Sequence, residues 1–294
     1  MQPAIRKPFG IFHVAVVLML AFAVSACTTA QDLAPLPTTL SSYTSTKYAA
    51  IVVDGNNGKV LYQAACDDVR HPASLTKMMT LYLLFEAMES GRVSAATQIP
   101  VSDHARLQPP TKIGFRRGGT IDVDSAIKAL VTKSANDVAV AIGEYLGGTE
   151  ENFAALMTAK ARAIGMRSTV FRNASGLPDP EQVTTARDMA LLGLALRKRF
   201  PQYYYYFSTQ SFAFNGRMIR GHNDLLGGVD GVDGIKTGYI RASGYNIVTS
   251  VSRGNRKLVA VVMGGDSARA RNAEVAALID RYMPENVATT GLTF

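Results

Sequence analysis

The sequence predicts an α+β protein in which an antiparallel sheet is flanked by helices and carries an inserted all-helical region. Two observations carry this expectation. Apolar, β-branched runs cluster toward both ends of the folded part, whereas its middle shows apolar residues at three- and four-residue intervals. The resulting order of strands, many helices, strands and a final helix is that of a sheet with helices packed on it. A chain of 294 residues with 47% hydrophobic and 18% charged residues has the composition of a globular protein with a substantial core.

The first 26 residues read as a signal peptide. Arg6 and Lys7 precede an apolar run from Ile11 to Val24, and small residues follow at Ser25-Ala26. That run is shorter than the roughly 20 apolar residues a membrane-spanning helix needs. Val24-Ser25-Ala26-Cys27 resembles a bacterial lipobox, which makes Cys27 a candidate for lipidation. With ordinary cleavage instead, a Cys27–Cys66 disulfide stays open. The expectation is an exported, periplasmic protein held at the membrane surface by its N-terminal lipid or signal. Residues 27–46, rich in Pro, Thr and Ser, read as a tether, 47–285 as the catalytic domain and 286–294 as a C-terminal tail.

Within the domain, Tyr48 to Val53 reads as a strand, Asp54 to Gly58 as a turn, and Val60 to Tyr62 as the returning strand. From Ser74 to Ser90, Leu75, Met78, Met79, Tyr82 and Phe85 fall at helical spacing, and Gly91 ends the run. Further helices are expected at Asp122 to Thr132, Asp137 to Leu146, Glu150 to Ile164 and Thr185 to Arg199. Phe212 to Phe214 with Asn215-Gly216 predicts a hairpin. Tyr245 to Val251 and Lys257 to Met263 predict a second one at the centre of the sheet, and a helix follows from about Ala270 to Tyr282.

The net charge of +8 points to an anionic partner or surface. No nucleic-acid-binding motif is present, so nucleic acid is not the expected partner. Arg116-Arg117 and Arg197-Lys198-Arg199 are the main basic clusters, and both read as solvated faces.

Three short polar motifs carry the chemistry: Ser74-Leu75-Thr76-Lys77, Ser134-Ala135-Asn136 and Lys236-Thr237-Gly238. Ser74 and Lys77 lie one helical turn apart on one face. A serine becomes a nucleophile when a base takes its proton, and a lysine serves as that base when burial or a second cation lowers its pKa. Lys236 is a source of that second cation. Ser134 is placed to relay a proton to the leaving group, and Asn136 to hydrogen-bond a substrate amide. The Lys236 ammonium and Thr237 hydroxyl suit a terminal carboxylate, and Gly238 lets a ligand backbone come close. Each motif alone also fits helix capping or exposed strand residues.

The three motifs stand in the order found in serine acyl-enzymes that react with penicillin. Longer stretches accompany them: His71 to Thr80, Phe171 to Leu177, Ala186 to Ala190, Val232 to Gly238 and Ser243 to Asn246. Together they resemble the D-alanyl-D-alanine carboxypeptidase family of low-molecular-mass penicillin-binding proteins, over about Tyr48 to Tyr282. The resemblance implies a β-lactamase/DD-peptidase-like fold and a serine peptidase that removes the terminal D-alanine from peptidoglycan stem peptides, without metal or organic cofactor. It implies Ser74 as the acylated nucleophile, Lys77 as its base, and Ser134 and Asn136 in proton relay and substrate contact. Lys236, Thr237, Gly238 and Arg271 would meet the substrate carboxylate and its strand, and the backbone N–H groups of Ser74 and Tyr239 would hold the oxyanion. β-Lactams are then expected as covalent inhibitors.

Two departures are visible. Tyr239 stands where many members of the family have histidine, and the chain stops soon after its last helix, without the further β-rich domain of many members. A DD-endopeptidase that cuts D-Ala cross-links therefore remains an alternative. A β-lactamase and a non-catalytic wall-binding protein are the other two, the former disfavoured by the missing Glu-x-x-Leu-Asn loop.

Overall fold

The computed structural model describes residues 46–285. The signal peptide, Cys27, nearly all of the tether and the C-terminal tail expected from the sequence lie outside the described residues.

The chain opens with β1 (Ala49–Asp54) and β2 (Val60–Ala64), an antiparallel hairpin. A 3-10 turn (Ala73–Thr76) leads into α1 (Lys77–Glu89). The helix expected to start at Ser74 thus begins as a tighter turn, with Ser74 in the turn and Lys77 as the first α-helical residue. Three short elements escape the periodicity: β3 (Gln98–Pro100), α2 (Asp103–Arg106) and β4 (Thr120–Asp122), the two strands pairing as a small sheet. Runs of three and four residues are too short to show a period.

The helical insert continues with α3 (Val123–Val131), α4 (Asn136–Gly147), α5 (Glu150–Ala163) and α6 (Ala186–Arg199). Asp122, Thr149 and Thr185 cap α3, α5 and α6 through their side chains, each accepting a backbone N–H three residues on. Asp122 and Thr185, expected as first helical residues, thus sit just outside α3 and α6, while α5 begins at Glu150 as expected. After a second 3-10 turn (Tyr204–Ser208) come the hairpin β5 (Ser211–Phe214) and β6 (Arg217–Arg220), then β7 (Val232–Ile240), β8 (Gly244–Arg253), β9 (Arg256–Gly265) and α7 (Ala268–Tyr282).

The main sheet is antiparallel, in the order β2-β1-β9-β8-β7. The β8–β9 hairpin is interior, as its two-sided apolar runs require, and β7 forms an edge. One face, with Ile51, Val248, Val259 and Val261, packs under the helical insert, and the other, with Val52, Ile247 and Val262, packs under α7. Alternation with period two assigns neighbouring strand residues to opposite cores. No described helix is long and apolar enough to cross a membrane.

In the Arg197-Lys198-Arg199 cluster, Lys198 and Arg199 are exposed as expected of a solvated face, but Arg197 is not. Arg197 reaches from α6 to Asp233, with N–O distances of 2.5 and 2.6 Å, and Ser250 and Ser252 donate to the same carboxylate. This network clamps the irregularity at Val232/Gly234, just before Lys236, so it fixes the register of the edge strand.

Candidate active site

Where β7, the Ser74 turn and the N-terminus of α4 meet, a pocket of about 380 Å³ opens to solvent. Ser74, Ser134, Asn136, Thr237, Gly238, Tyr239 and Arg271 all line it. The structure therefore brings the three motifs to one place, and Lys77 and Lys236 lie buried behind its wall.

Ser74 is presented by backbone rather than by a long helix. Ala73 before it has φ 49°, in the left-handed region that alanine rarely occupies. Behind the turn, the Asn246 amide donates to the carbonyls of His71 (3.1 Å) and Pro72 (3.3 Å), and its oxygen accepts from Gly264 N. The turn is thus pinned to the centre of the sheet. Gly176 passes so close that a β-carbon there would lie 1.9 Å from the Ala73 carbonyl oxygen.

Lys77 is completely buried. Its Nζ donates to Asn136 Oδ1 (2.8 Å) and to the Ser175 carbonyl (2.5 Å), and lies 3.2 Å from Ser74 Oγ. Burial, followed by repulsion from Lys236, holds its pKa well below the usual lysine value, while Asp137 and Glu150 oppose the shift. A neutral amine against a serine hydroxyl is an arrangement that can accept its proton.

Ser134 and Asn136 form one wall. Sequence alone allows both to be helix caps, but the cap position belongs to Ala135, which makes no side-chain cap. Ser134 is held at φ 57°, and its hydroxyl is buried without a hydrogen-bond partner among the described residues. A buried hydroxyl left unpaired at a pocket wall is poised for a substrate group. Asn136, the first residue of α4, also donates to the Pro109 carbonyl at 2.9 Å. Asp137 accepts from the backbone N–H groups of Ile113 and Gly114, which shapes the loop bearing Thr111 on the rim.

The opposite wall is β7. At Gly238 a β-carbon would stand 3.0 Å from Ser74 N, so glycine lets the strand run against the nucleophile's turn. Lys236, 2% exposed, donates to the Thr237 carbonyl at 2.8 Å, and burial followed by Arg271 pushes its pKa down to about 7. Arg271, from the first turn of α7, is buried and donates to the Asn246 carbonyl at 3.1 Å. Burial lowers its pKa to about 10, which leaves it cationic at neutral pH. Arg271, joined by Lys236 whenever the latter is protonated, makes this end of the pocket receptive to a carboxylate. Tyr239 is 53% exposed and lies against Tyr245, ring centroids 4.3 Å apart.

Several contributors are not visible to sequence reasoning. The Phe171-to-Leu177 stretch carries no chemical role that its residue types reveal, yet the structure places its Ser175 carbonyl on Lys77. His222, on the loop after β6, lines the pocket, and no spacing signal in the sequence marks it. Cys66 is a buried thiol without a disulfide among the described residues, next to Asp67 and Arg187, and its pKa is raised, first by burial.

Residues 35–267 match the family model described as D-alanyl-D-alanine carboxypeptidase. The chain is 35% identical over 236 residues to the D-alanyl-D-alanine carboxypeptidase DacA of Escherichia coli K12, covering 78% of this chain and 59% of that one. It is 31% identical to DacF of Bacillus subtilis, covering 79% and 61%. The chain thus spans about three fifths of the length of these curated relatives. Among solved structures, penicillin binding protein 5 from Haemophilus influenzae superposes with a TM-score of 0.76 at 31% identity, covering 79% of this chain and 69% of that one. Penicillin-Binding Protein D2 from Listeria monocytogenes, in its cefotaxime-bound form, gives 0.72 at 31% identity, covering 79% and 95%.

Proposed function

Because this chain belongs to the D-alanyl-D-alanine carboxypeptidase family, we propose that it is an exported serine peptidase that removes the terminal D-alanine of peptidoglycan stem peptides through an acyl-enzyme on Ser74. The observation that carries the proposal is the buried Lys77 amine 3.2 Å from Ser74 Oγ, with its pKa held down, in a pocket whose far end is cationic.

In this reading the substrate carboxylate docks at Thr237, Lys236 and Arg271, and the peptide lies along the edge of β7. Ser74 Oγ attacks the carbonyl carbon of the D-Ala–D-Ala bond while its proton passes to neutral Lys77. Charge on the carbonyl oxygen is taken by the backbone N–H groups of Ser74 and Tyr239. The C–N bond breaks as Ser134 Oγ hands a proton to the leaving nitrogen and recovers one from Lys77, which resets the relay. Water then adds to the ester carbonyl as Lys77 accepts its proton, and Lys77 returns that proton to Ser74 Oγ as the ester C–O bond breaks, releasing Ser74. β-Lactams, whose ring amide and carboxylate present the same groups, acylate Ser74.

Two measurements test this. Intact-mass spectrometry with penicillin should show one adduct on the wild type and none on Ser74→Ala; an adduct on the variant, or none on the wild type, refutes the acyl-enzyme. Incubation with defined muropeptides should release D-alanine from pentapeptide stems. Cleavage of cross-linked dimers in preference to pentapeptides would replace carboxypeptidase by endopeptidase, and rapid release of hydrolysed penicillin would favour a β-lactamase.

A further inference from the structure

The pocket lining includes a titratable side chain that the proposed reaction does not use, His222. After β6 the chain turns at Gly221, whose N–H donates to the Gln210 carbonyl at 2.7 Å. It then passes so near the end of α3 that a β-carbon at Gly221 would lie 3.6 Å from Thr132 Cα. This packing brings the chain at His222, on the pocket lining, toward the segment that follows Thr132, where Lys133 immediately precedes Ser134. Lys133 and the neighbouring Arg220 make no ion pair among the described residues.

The position along the pocket is informative. From Lys236 to Ile240, β7 spans about 13 Å at the usual rise per strand residue. His222 lines the pocket on the loop that leads from β6 into the N-terminal end of β7, the end opposite Tyr239 along that strand. In the proposed reaction that end takes the terminal carboxylate, so whatever lies beyond it faces the leaving residue.

We propose that Lys133 and His222 form an outer subsite for a leaving residue that carries a second carboxylate on its side chain. The assignment rests on the carboxypeptidase reading for its direction along the pocket. The same surface gives alanine nothing to bind, so the subsite discriminates among leaving residues rather than driving the chemistry. Its strength depends on pH. Desolvation, then Lys236 and Lys133, hold the His222 imidazole toward its neutral form, and Asp224 on its own loop opposes them. Falling pH therefore adds a positive charge at the subsite, and rising pH removes it.

Synthetic acyl-peptides ending in D-Ala-D-Glu and D-Ala-D-Gln test this, because the two leaving residues differ only in charge. The ratio of their kcat/KM values should be about fivefold in favour of glutamate at pH 6, as expected for a solvent-facing ion pair. It should shrink toward pH 8 and in high salt. His222→Gln should remove the pH dependence of the ratio, and His222→Gln combined with Lys133→Met should bring it close to one. A wild-type ratio of one at pH 6, or a ratio that survives in the double variant, overturns the subsite. Fluorescence anisotropy of the labelled peptides on Ser74→Ala reads the same preference without turnover. Preferential binding of the glutamate peptide with no turnover of any peptide would keep the subsite and sink the carboxypeptidase reading. Turnover without preference would do the reverse.

Discussion

Beneath α7 the sheet buries Val52, Ile247 and Val262 against Leu278 and Ile279, all fully enclosed. The seam between β7 and α4 buries two lysines, an arginine, and a serine hydroxyl with no partner among the described residues. Non-glycine residues with left-handed φ flank that seam at Ala73 and Ser134, whereas β1, β8 and β9, the strands under α7, hold none. Apolar burial contributes about 25 cal/mol per Å² and carries no directional demand. Buried like charges and strained backbone each oppose folding. The difference teaches where this fold is stabilised and where that stability is consumed: the α7 face holds the scaffold, and the seam keeps reactive groups in states that water would not permit. Substitutions on the two sides should therefore separate activity from stability.

The largest effect belongs to Lys77→Ala. Removing a positioned general base typically costs about 10²–10⁴-fold in rate, so acylation by penicillin should fall about 10³-fold. Stopped-flow or gel-based labelling with a fluorescent penicillin measures it, alongside circular dichroism to establish that the variant is folded. Wild-type acylation by a folded variant would show that another group takes the Ser74 proton. The vacated Asn136 and Ser175 oxygens make some loss of stability expected as well, so the comparison is with the acylation rate of the folded fraction.

Leu278→Ala is the converse. Leu278 is fully buried under the sheet, and truncations of this kind cost about 2–5 kcal/mol. Urea denaturation should show a loss of about 3 kcal/mol, with the acylation rate of the remaining folded protein within about twofold of wild type. A large fall in acylation with little change in stability would mean that the two regions are not separable in this way.

How much of the molecule is legible in its sequence follows from the same division. The α7 face and the central hairpin announce themselves because apolar period two and the β-branched runs at Tyr245 to Val251 and Lys257 to Met263 report burial directly. The reactive side chains are legible because few residue types do acyl transfer, and Ser74, Lys77, Ser134 and Lys236 occur in spaced motifs. What stays hidden depends on tertiary approach. The Ser175 carbonyl on Lys77 is a backbone group that any residue would supply, and the orientation of its peptide comes from the loop around Asn173. The 3-10 turn at Ser74 reads as helix because its residues share helical spacing with α1. Arg197 looks solvated in a run of three basic residues until Asp233 arrives from β7, 36 positions later. His222 carries no motif at all, and it is the approach of the Gly221 turn to Gln210 and Thr132 that sets it at the pocket.

The smallest effect expected is also the one most specific to the seam, a stability that depends on pH above neutrality. Lys236 has its folded pKa depressed to about 7, against an ordinary value near 10.5. Below pH 7 both folded and unfolded chains carry its proton, and the folded state bears the full penalty of burying the charge. Between about pH 7 and 10 the folded lysine is neutral while the unfolded one stays protonated, so raising the pH favours the fold. Each lysine held neutral in this way adds about 1.4 kcal/mol of stability per pH unit. Lys77, depressed in the same direction, contributes to the same slope. Denaturation curves at pH 7.5 and 8.5 should therefore show wild-type stability rising, and Lys236→Met should lose about 1.4 kcal/mol per pH unit from that rise. The interval stays below the range where tyrosines titrate, which matters because Tyr48, Tyr204 and Tyr206 are all shifted upward and would act in the opposite sense at higher pH. Equal slopes in the two proteins would mean that Lys236 stays protonated in the fold, and the cationic end of the pocket would then carry two fixed charges rather than one fixed charge and one that titrates.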